Sequence, residues 1–230
     1  QETANAYQMT REEMDAYAIE SLARANRAIA EGAFADEVVP VTVATRAGEV
    51  VVTVDEQPGK GRPDKIPQLK PAFAKDGTIT AATSSSISDG AAALVLTRAS
   101  VAEAKGLTPV ARVVATAAHA HAPALFTTAP IPAIQKVLAR AGWSVDDVDL
   151  FEVNEAFACV AMFAMRDLGI PHEKINVNGG ATALGHPIGA SGARIIVTLI
   201  AALKAKGKKR GVASLCIGGG EATAIAVELV

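Results

Sequence analysis

Asn178-Gly179-Gly180-Ala181-Thr182-Ala183-Leu184-Gly185-His186-Pro187-Ile188-Gly189-Ala190-Ser191-Gly192 is the stretch on which the reading of this chain turns. Ile175 and Val177 ahead of it have strand character, and Ala193 to Lys206 behind it has helical spacing. The sequence therefore predicts a strand exit, a glycine-rich turn and a helix start. His186 then sits where the carboxyl edge of a sheet meets a helix N-terminus, which is where α/β proteins place ligands. The five glycines of the stretch permit positive φ and close backbone approach. Pro187 fits a first helical position. The same residues also describe a tight strand-to-helix connection with a histidine merely exposed at its lip.

Outward from this stretch the pattern is regular. Helices are predicted over 133–141, 155–168 and 191–206, and strands over 111–118, 149–153, 174–177, 211–217 and 223–229. The last two strands, joined by Gly218-Gly219-Gly220-Glu221, read as an antiparallel hairpin. Strands alternating with helices argue an α/β layered domain from about Leu107 to Val230. His119 and His121, two apart on an extended segment, would point to one side, but no third metal ligand accompanies them and no metal site is expected.

The first hundred residues are less periodic. Thr10-Arg11-Glu12-Glu13 has capping-box spacing and Met14, Ala18, Leu22, Ala25 and Ile29 follow on one face, so a helix is predicted from Thr10 to Glu31. Residues 37–44 and 49–55 read as a hairpin whose turn contains Gly48. Pro58, Pro63, Pro67 and Pro71 make 56–77 a connection rather than a core element. A short strand is expected over 78–82, an alanine-rich helix after Asp89-Gly90, a buried strand over 94–97 and a short helix over 100–105. The hydroxyls of Thr83-Ser84-Ser85-Ser86 could cap that helix or bind a polar ligand.

Composition bounds the function. Of the 230 residues half are hydrophobic, enough for a substantial core, and the formal net charge of −2 offers nucleic acid no general attraction. The apolar helix after Gly192 is flanked by charge and too short to span a bilayer, so no membrane segment is expected. Lys204, Lys206, Lys208, Lys209 and Arg210 read as a solvated helix end. Two cysteines cannot make a disulfide framework, which points to a reducing compartment, and a cytoplasmic location is expected.

Three predicted strands end in unusual polar residues: Asn154, His186 and Cys216. Asn154 could be only an N-cap and Cys216 only a small buried hydrophobe. A thiol followed by Gly218-Gly219-Gly220 nevertheless lies beside free backbone N–H groups, the material of an oxyanion hole. A thiol, an imidazole and an amide form a coherent set for acyl chemistry.

Asn154-Glu155-Ala156-Phe157, Gly185-His186-Pro187-Ile188-Gly189 and Cys216-Ile217-Gly218-Gly219-Gly220, in this order, resemble the signature motifs of the thiolases. Asp89-Gly90-Ala91-Ala92-Ala93 and the hydroxyl run before it resemble the thiolase pattern at the coenzyme A site. The resemblance implies a layered α-β-α fold with a mixed five-stranded sheet and an incomplete N-terminal half. Residues 1–87 would be the remainder of the coenzyme A-binding loop domain, 88–106 the end of the N-terminal half and 107–230 the C-terminal domain. It implies an acyltransferase performing reversible Claisen condensation and thiolytic cleavage of acetoacetyl-CoA, with its nucleophilic cysteine in a missing N-terminal half and this chain inactive alone.

By the same resemblance Cys216 is the acid/base, His186 polarises the thioester carbonyl, Asn154 holds a water that with His186 forms one oxyanion hole, and the Gly218 N–H supplies part of another. Ser85, Ala156, Phe157 and Phe73 would meet the pantetheine and acyl groups, with Lys60 in place of a usual basic residue near the adenine and phosphates. Coenzyme A and acetyl-CoA are implied as substrates with no tightly bound cofactor, in a homodimer or homotetramer. The run Ala118 to Pro130 resembles the acetoacetyl-CoA thiolases and favours a short acyl chain. The competing expectation is a non-catalytic acyl-CoA or lipid-binding module of the same fold.

Overall fold

The computed structural model describes residues 1–230. A short helix α1 (Glu2–Ala6) precedes α2 (Arg11–Ala30), which opens with the expected capping box. The Thr10 side chain accepts from the Glu13 N–H, and the Glu13 carboxylate accepts from the Thr10 N–H at 2.8 Å. Met14, Ala18, Leu22 and Ala25 are buried along one face of α2, as their spacing predicts.

Strands β1 (Val41–Thr45) and β2 (Gly48–Val52) form the predicted hairpin as a separate two-stranded sheet, with every strand residue exposed. The connection after it contains α3 (Glu56–Lys60) and a 3-10 turn (Pro63–Gln68) that buries Ile66.

The strand expected over 78–82 does not form. Hydroxyls take the backbone groups a ladder would use: the Thr80 N–H donates to Thr83 Oγ1 at 2.8 Å, and Ser84 Oγ donates to the Thr80 carbonyl at 2.7 Å. The alanine-rich helix and the buried strand expected over 89–97 are also absent, and Val95 and Leu96 stand 96% and 71% exposed with no strand beside them. An apolar run specifies a buried strand only where a neighbouring strand pairs with it. Helix α4 (Ala99–Ala104) follows as expected.

The main sheet comprises β3 (Ala111–Ala120), β4 (Leu150–Val153), β5 (Arg210–Ile217) and β6 (Glu221–Leu229) in the order β3-β6-β5-β4. Only β4 and β5 run parallel, so the sheet is mixed. Helices α5 (Pro130–Ala141) and α6 (Ala158–Leu168) cover one face, packing Ile134, Val137 and Phe163 against Phe151, Val153 and Val212. Helix α8 (Ser191–Ala205) covers the other, packing Ile195, Leu199 and Leu203 against Leu150, Ala213 and Val227. Alternate strand residues thus serve opposite layers, and each fully buried aliphatic contributes roughly 1.5–3 kcal/mol.

The sheet has four strands rather than the expected five. At 174–177 only Ile175 bridges Phe151, because Asn176 turns away at a φ of 47°. Pro187 is not the first residue of α8 but lies four positions before it. Its carbonyl accepts the Ala190 and Ser191 N–H groups that begin the helix. A single helical turn, α7 (Ala181–Leu184), stands between Gly180 and Gly185.

Candidate active site

Strands β4 and β5 run side by side to one edge, with Val153 opposite Ser214. The Asn154 N–H extends the ladder to the Ser214 carbonyl at 3.0 Å, so Asn154 and Cys216 leave the same edge of the sheet. The hydroxyl run then straps two loops together. Ala158 N–H donates to the Thr83 carbonyl and Ser85 N–H to the Ala156 carbonyl, while His186 N–H donates to the Ser86 carbonyl at 2.9 Å. These serines therefore cap no helix. They carry backbone between the loop of Asn154 and that of His186.

The strap brings Asn154 and His186 into contact, with Asn154 Nδ2 3.4 Å from His186 Nε2. On the far side of the ring Nδ1 lies 2.6 Å from Ser191 Oγ, which donates to the Pro187 carbonyl at 3.0 Å. With its one hydrogen given to that carbonyl, Ser191 accepts from Nδ1–H, and the Nε2 lone pair faces Asn154. Asn154 is 1% exposed, and its Oδ1 has no partner within the chain. A buried amide oxygen of this kind is the site for a ligand group or a water. Burial first, and the Arg194 guanidinium second, hold the His186 imidazole below its ordinary range.

Cys216 is placed differently. It stands next to last on β5, towards the sheet edge that Asn154 leaves, but its side chain belongs to the core cluster on the α5/α6 face, 6% exposed, with no hydrogen bond to His186 or Asn154. Burial pushes its thiol up to about 11. Its surroundings therefore raise the thiol rather than bring it down, and they favour the protonated form. Gly218 and Gly219 are exposed in the turn after it, and neither N–H is used by another backbone group, whereas Gly220 N–H donates to the Ile217 carbonyl at 3.1 Å. Two free donors thus stand at the strand end.

Four of the five residues expected to meet coenzyme A lie together. Ser85 Oγ donates to the Ala156 carbonyl at 3.0 Å, and the Phe73 ring meets the Phe157 ring edge-on at 5.7 Å. Phe126, not singled out from the sequence, packs on the same Phe157 at 6.2 Å. Lys60 stands apart from them. It pairs with Glu56 at 2.6 Å and lines a separate cleft of about 730 Å³ with Arg62 and Lys65.

The residue to which sequence reasoning gave no role is Glu155, read as the start of a helix and as part of the Asn154-Glu155-Ala156-Phe157 motif. It is fully buried and accepts from Tyr17, Ser21, Asn176 and Thr182. An acidic residue directly after Asn154 was the one available signal.

Comparison with known proteins accords with this geometry. Residues 1–100 match the family model of the thiolase N-terminal domain and residues 107–229 that of the C-terminal domain. The expectation that only a C-terminal part is present is thereby corrected, since residues 1–100 match the N-terminal model. The acetyl-CoA acetyltransferase of Escherichia coli strain K12 is 50% identical over 226 residues, covering 98% of this chain and 57% of that protein. The enzyme of the same name from Syntrophomonas wolfei is 47% identical over 224 residues, covering 96% and 57%. The crystal structure of Bacillus anthracis acetyl-CoA acetyltransferase superposes with a TM-score of 0.95 at 44% identity, over 99% of this chain and 58% of that one. An Ascaris suum thiolase in complex with coenzyme A gives 0.89 at 41% identity, over 100% and 58%. The chain thus spans less than three-fifths of the length of these relatives. With both domain models matched and the Asn154, His186 and Cys216 loops gathered at one sheet edge, the chain belongs to the thiolase family.

Proposed function

We propose that this chain carries the oxyanion-binding and proton-handling side of a thiolase-type acyl transfer, the reversible condensation of acetyl-CoA and the thiolytic cleavage of acetoacetyl-CoA by coenzyme A. The observation that carries the reading is the Asn154–His186 pair, 3.4 Å apart, with a buried amide oxygen left unpartnered beside it. In cleavage, an acyl-accepting thiolate bonds to the ketone carbon of acetoacetyl-CoA, the bond between the two acetyl units breaks with the acetyl group left on that sulfur, to pass on to coenzyme A, and an enolate of acetyl-CoA departs. Its oxygen needs fixed donors, each worth about 3 kcal/mol: a water held on the unpartnered Asn154 Oδ1 would supply one, and the free amides of Gly218 and Gly219 suit others. Its carbon needs a proton, and a Cys216 thiol kept protonated by burial suits the donor. In condensation the same thiolate and proton run in reverse.

Ser85, Ala156, Phe157 and Phe73 suit the pantetheine arm, an amide-bearing apolar chain. The Lys60, Arg62 and Lys65 side chains offer the positive charge that the phosphates require.

Neither thiol here suits the acyl-accepting nucleophile, which must be a reachable thiolate. Cys159 is 1% exposed and pushed up to about 12 by burial, and Cys216 is little better. We infer that the nucleophile comes from thiolase sequence outside these 230 residues. The test is thiolysis of acetoacetyl-CoA by the chain alone and by the chain co-expressed with thiolase N-terminal sequence bearing a reactive cysteine. Activity only in the second, lost with His186→Ala, is expected. Turnover by the chain alone that stops on alkylation of Cys216 would make Cys216 the nucleophile and overturn the assignment. The sealed thiols also suit a non-catalytic acyl-CoA-binding module, which would bind coenzyme A yet stay inert in both assays.

A further inference from the structure

Glu155 is a fully buried acid that no salt bridge reaches and that the chemistry above does not use. Its Oε1 accepts from the Tyr17 hydroxyl and from Asn176 Nδ2, both at 2.9 Å. Its Oε2 accepts from the Ser21 hydroxyl at 2.9 Å, the Thr182 N–H at 3.1 Å and the Thr182 hydroxyl at 2.6 Å. Every one of these contacts is a donor, so the side chain is engaged as an acceptor on both oxygens. Ser21 Oγ in turn accepts the Gly180 N–H at 3.0 Å. A Cβ on Gly180 would overlap the Glu155 carboxyl, and one on Gly179 would lie 2.7 Å from the Ser21 carbonyl oxygen, so both glycines are required by the approach.

The donors come from three places: α2, the Asn176 turn and the first turn of α7. Glu155 itself follows Asn154 directly, and Thr182 lies four residues before His186. No other side chain joins the segment of Asn154 to that of His186 from both sides while also anchored to α2.

We propose that Glu155 is a positioning residue that sets the separation of Asn154 and His186 by tying the 154–157 loop and α7 to α2. The proposal concerns the geometry of the site and rests on the thiolase reading only for its consequence in turnover. Because five donors converge on one carboxylate, a glutamine cannot replace it. Its Nε2 would face donors on one side or the other, and the Thr182 tie or the Asn176 tie would be lost.

The test uses the titration of His186 in the 230-residue chain, followed by NMR, together with thermal unfolding. Thr182→Val and Thr182→Ser leave every charge in place, so a change in the His186 titration between them reports a change in packing. Glu155→Gln and Thr182→Val are expected to move the His186 titration upward, by at least about half a pH unit, as the ring gains water. Thr182→Ser, which keeps both donors, is expected to restore it. Tyr17→Phe removes one α2 donor and a weak 3.3 Å acceptor of Asn176 Nδ2 while Ser21 keeps the α2 tie and Thr182 the α7 tie, and it is expected to lower the unfolding temperature without moving His186. If Glu155→Gln and Thr182→Val lower stability while the His186 titration stays in place, the role is structural only and the proposal fails. Should Glu155→Gln not fold, Thr182→Val and Thr182→Ser decide. In a thiolysis-competent assembly Thr182→Val is expected to lower kcat with KM little changed. Absence of thiolysis in every variant would count against the acyl-transfer reading and leave the NMR result to judge Glu155.

Discussion

Asn176 serves Val153 as a strand would. Its Oδ1 accepts the Val153 N–H at 2.9 Å and its Nδ2 donates to the Val153 carbonyl at 2.8 Å, so one side chain replaces a fifth strand at the end of β4. The same Nδ2 reaches Glu155, coupling the sheet edge to the site.

Truncation of that side chain strands two buried backbone groups, at about 1–3 kcal/mol each. Asn176→Ala is expected to lower the unfolding temperature by roughly 5–15 °C for a domain of this size. Asn176→Asp has nearly the same shape but loses the donor and sets a second acid against Glu155. It should be at least as damaging as alanine, and a near-native melting curve for the aspartate variant would refute the strand-substitute role.

The Asn154–His186 pair gives a prediction in turnover. Asn154→Ala in a thiolysis-competent assembly should lower kcat by about 10²–10³-fold, the usual cost of one oxyanion donor. Because burial depresses the His186 imidazole, it stays neutral to lower pH than a free histidine. The acid limb of kcat/KM should therefore fall below about pH 6.5. An acid limb at or above that value, absent in His186→Gln, would contradict the burial argument.

What the sequence disclosed follows from which interactions are local. The capping box at Thr10 and Glu13, the heptad-like face of α2 and the alternation of strand and helix from Ala111 onward are written in neighbouring residues, and the structure repeats them. The juxtaposition of Asn154 and His186 was legible because each ends a segment that points to the same sheet edge. Positions 78–82 and 174–177 were misread because Thr83, Ser84 and Asn176 take over ladder hydrogen bonds with their side chains, which apolar periodicity does not register. The hub at Glu155 was invisible for a further reason. Its donors lie 138, 134, 21 and 27 residues away, and no local spacing encodes them.

The two thiols give a chemical test of the burial pattern. Cys159 and Cys216 are 1% and 6% exposed and pushed up to about 12 and 11. In the native chain at pH 8 neither should react with an aromatic disulfide reagent on the minute scale, and both should react once the chain is unfolded in guanidinium. Rapid release of one equivalent under native conditions, abolished in Cys216→Ser, would show an open, activated Cys216 and would remove the proton-donor assignment made above.

The last prediction concerns acids behind the site. Glu152 on β4, two residues before Asn154, is 2% exposed and pushed up to about 8 by burial, while Glu37 is pushed up to about 7. Arg194 lies 3.8 Å from Glu152 and pulls the other way without winning, and Thr198 donates to Glu37 at 3.3 Å. Both acids hold their protons more tightly in the folded chain than in the unfolded one. Their contribution to stability is therefore complete below the unfolded value near 4.5 and is lost as pH rises through 7 and 8. The depressed histidines, His119, His172 and His186, act in the opposite sense and only towards acid pH, so an alkaline window separates them from the two acids. Between about pH 6.5 and 9 the unfolding temperature should fall, at roughly 2–4 °C per kcal/mol of linkage. Glu152→Gln, isosteric and uncharged, should flatten that slope and raise stability at pH 9. A slope unchanged in Glu152→Gln and in Glu37→Gln would mean that Arg194 neutralises the pair, and the acids would then carry no pH dependence at all.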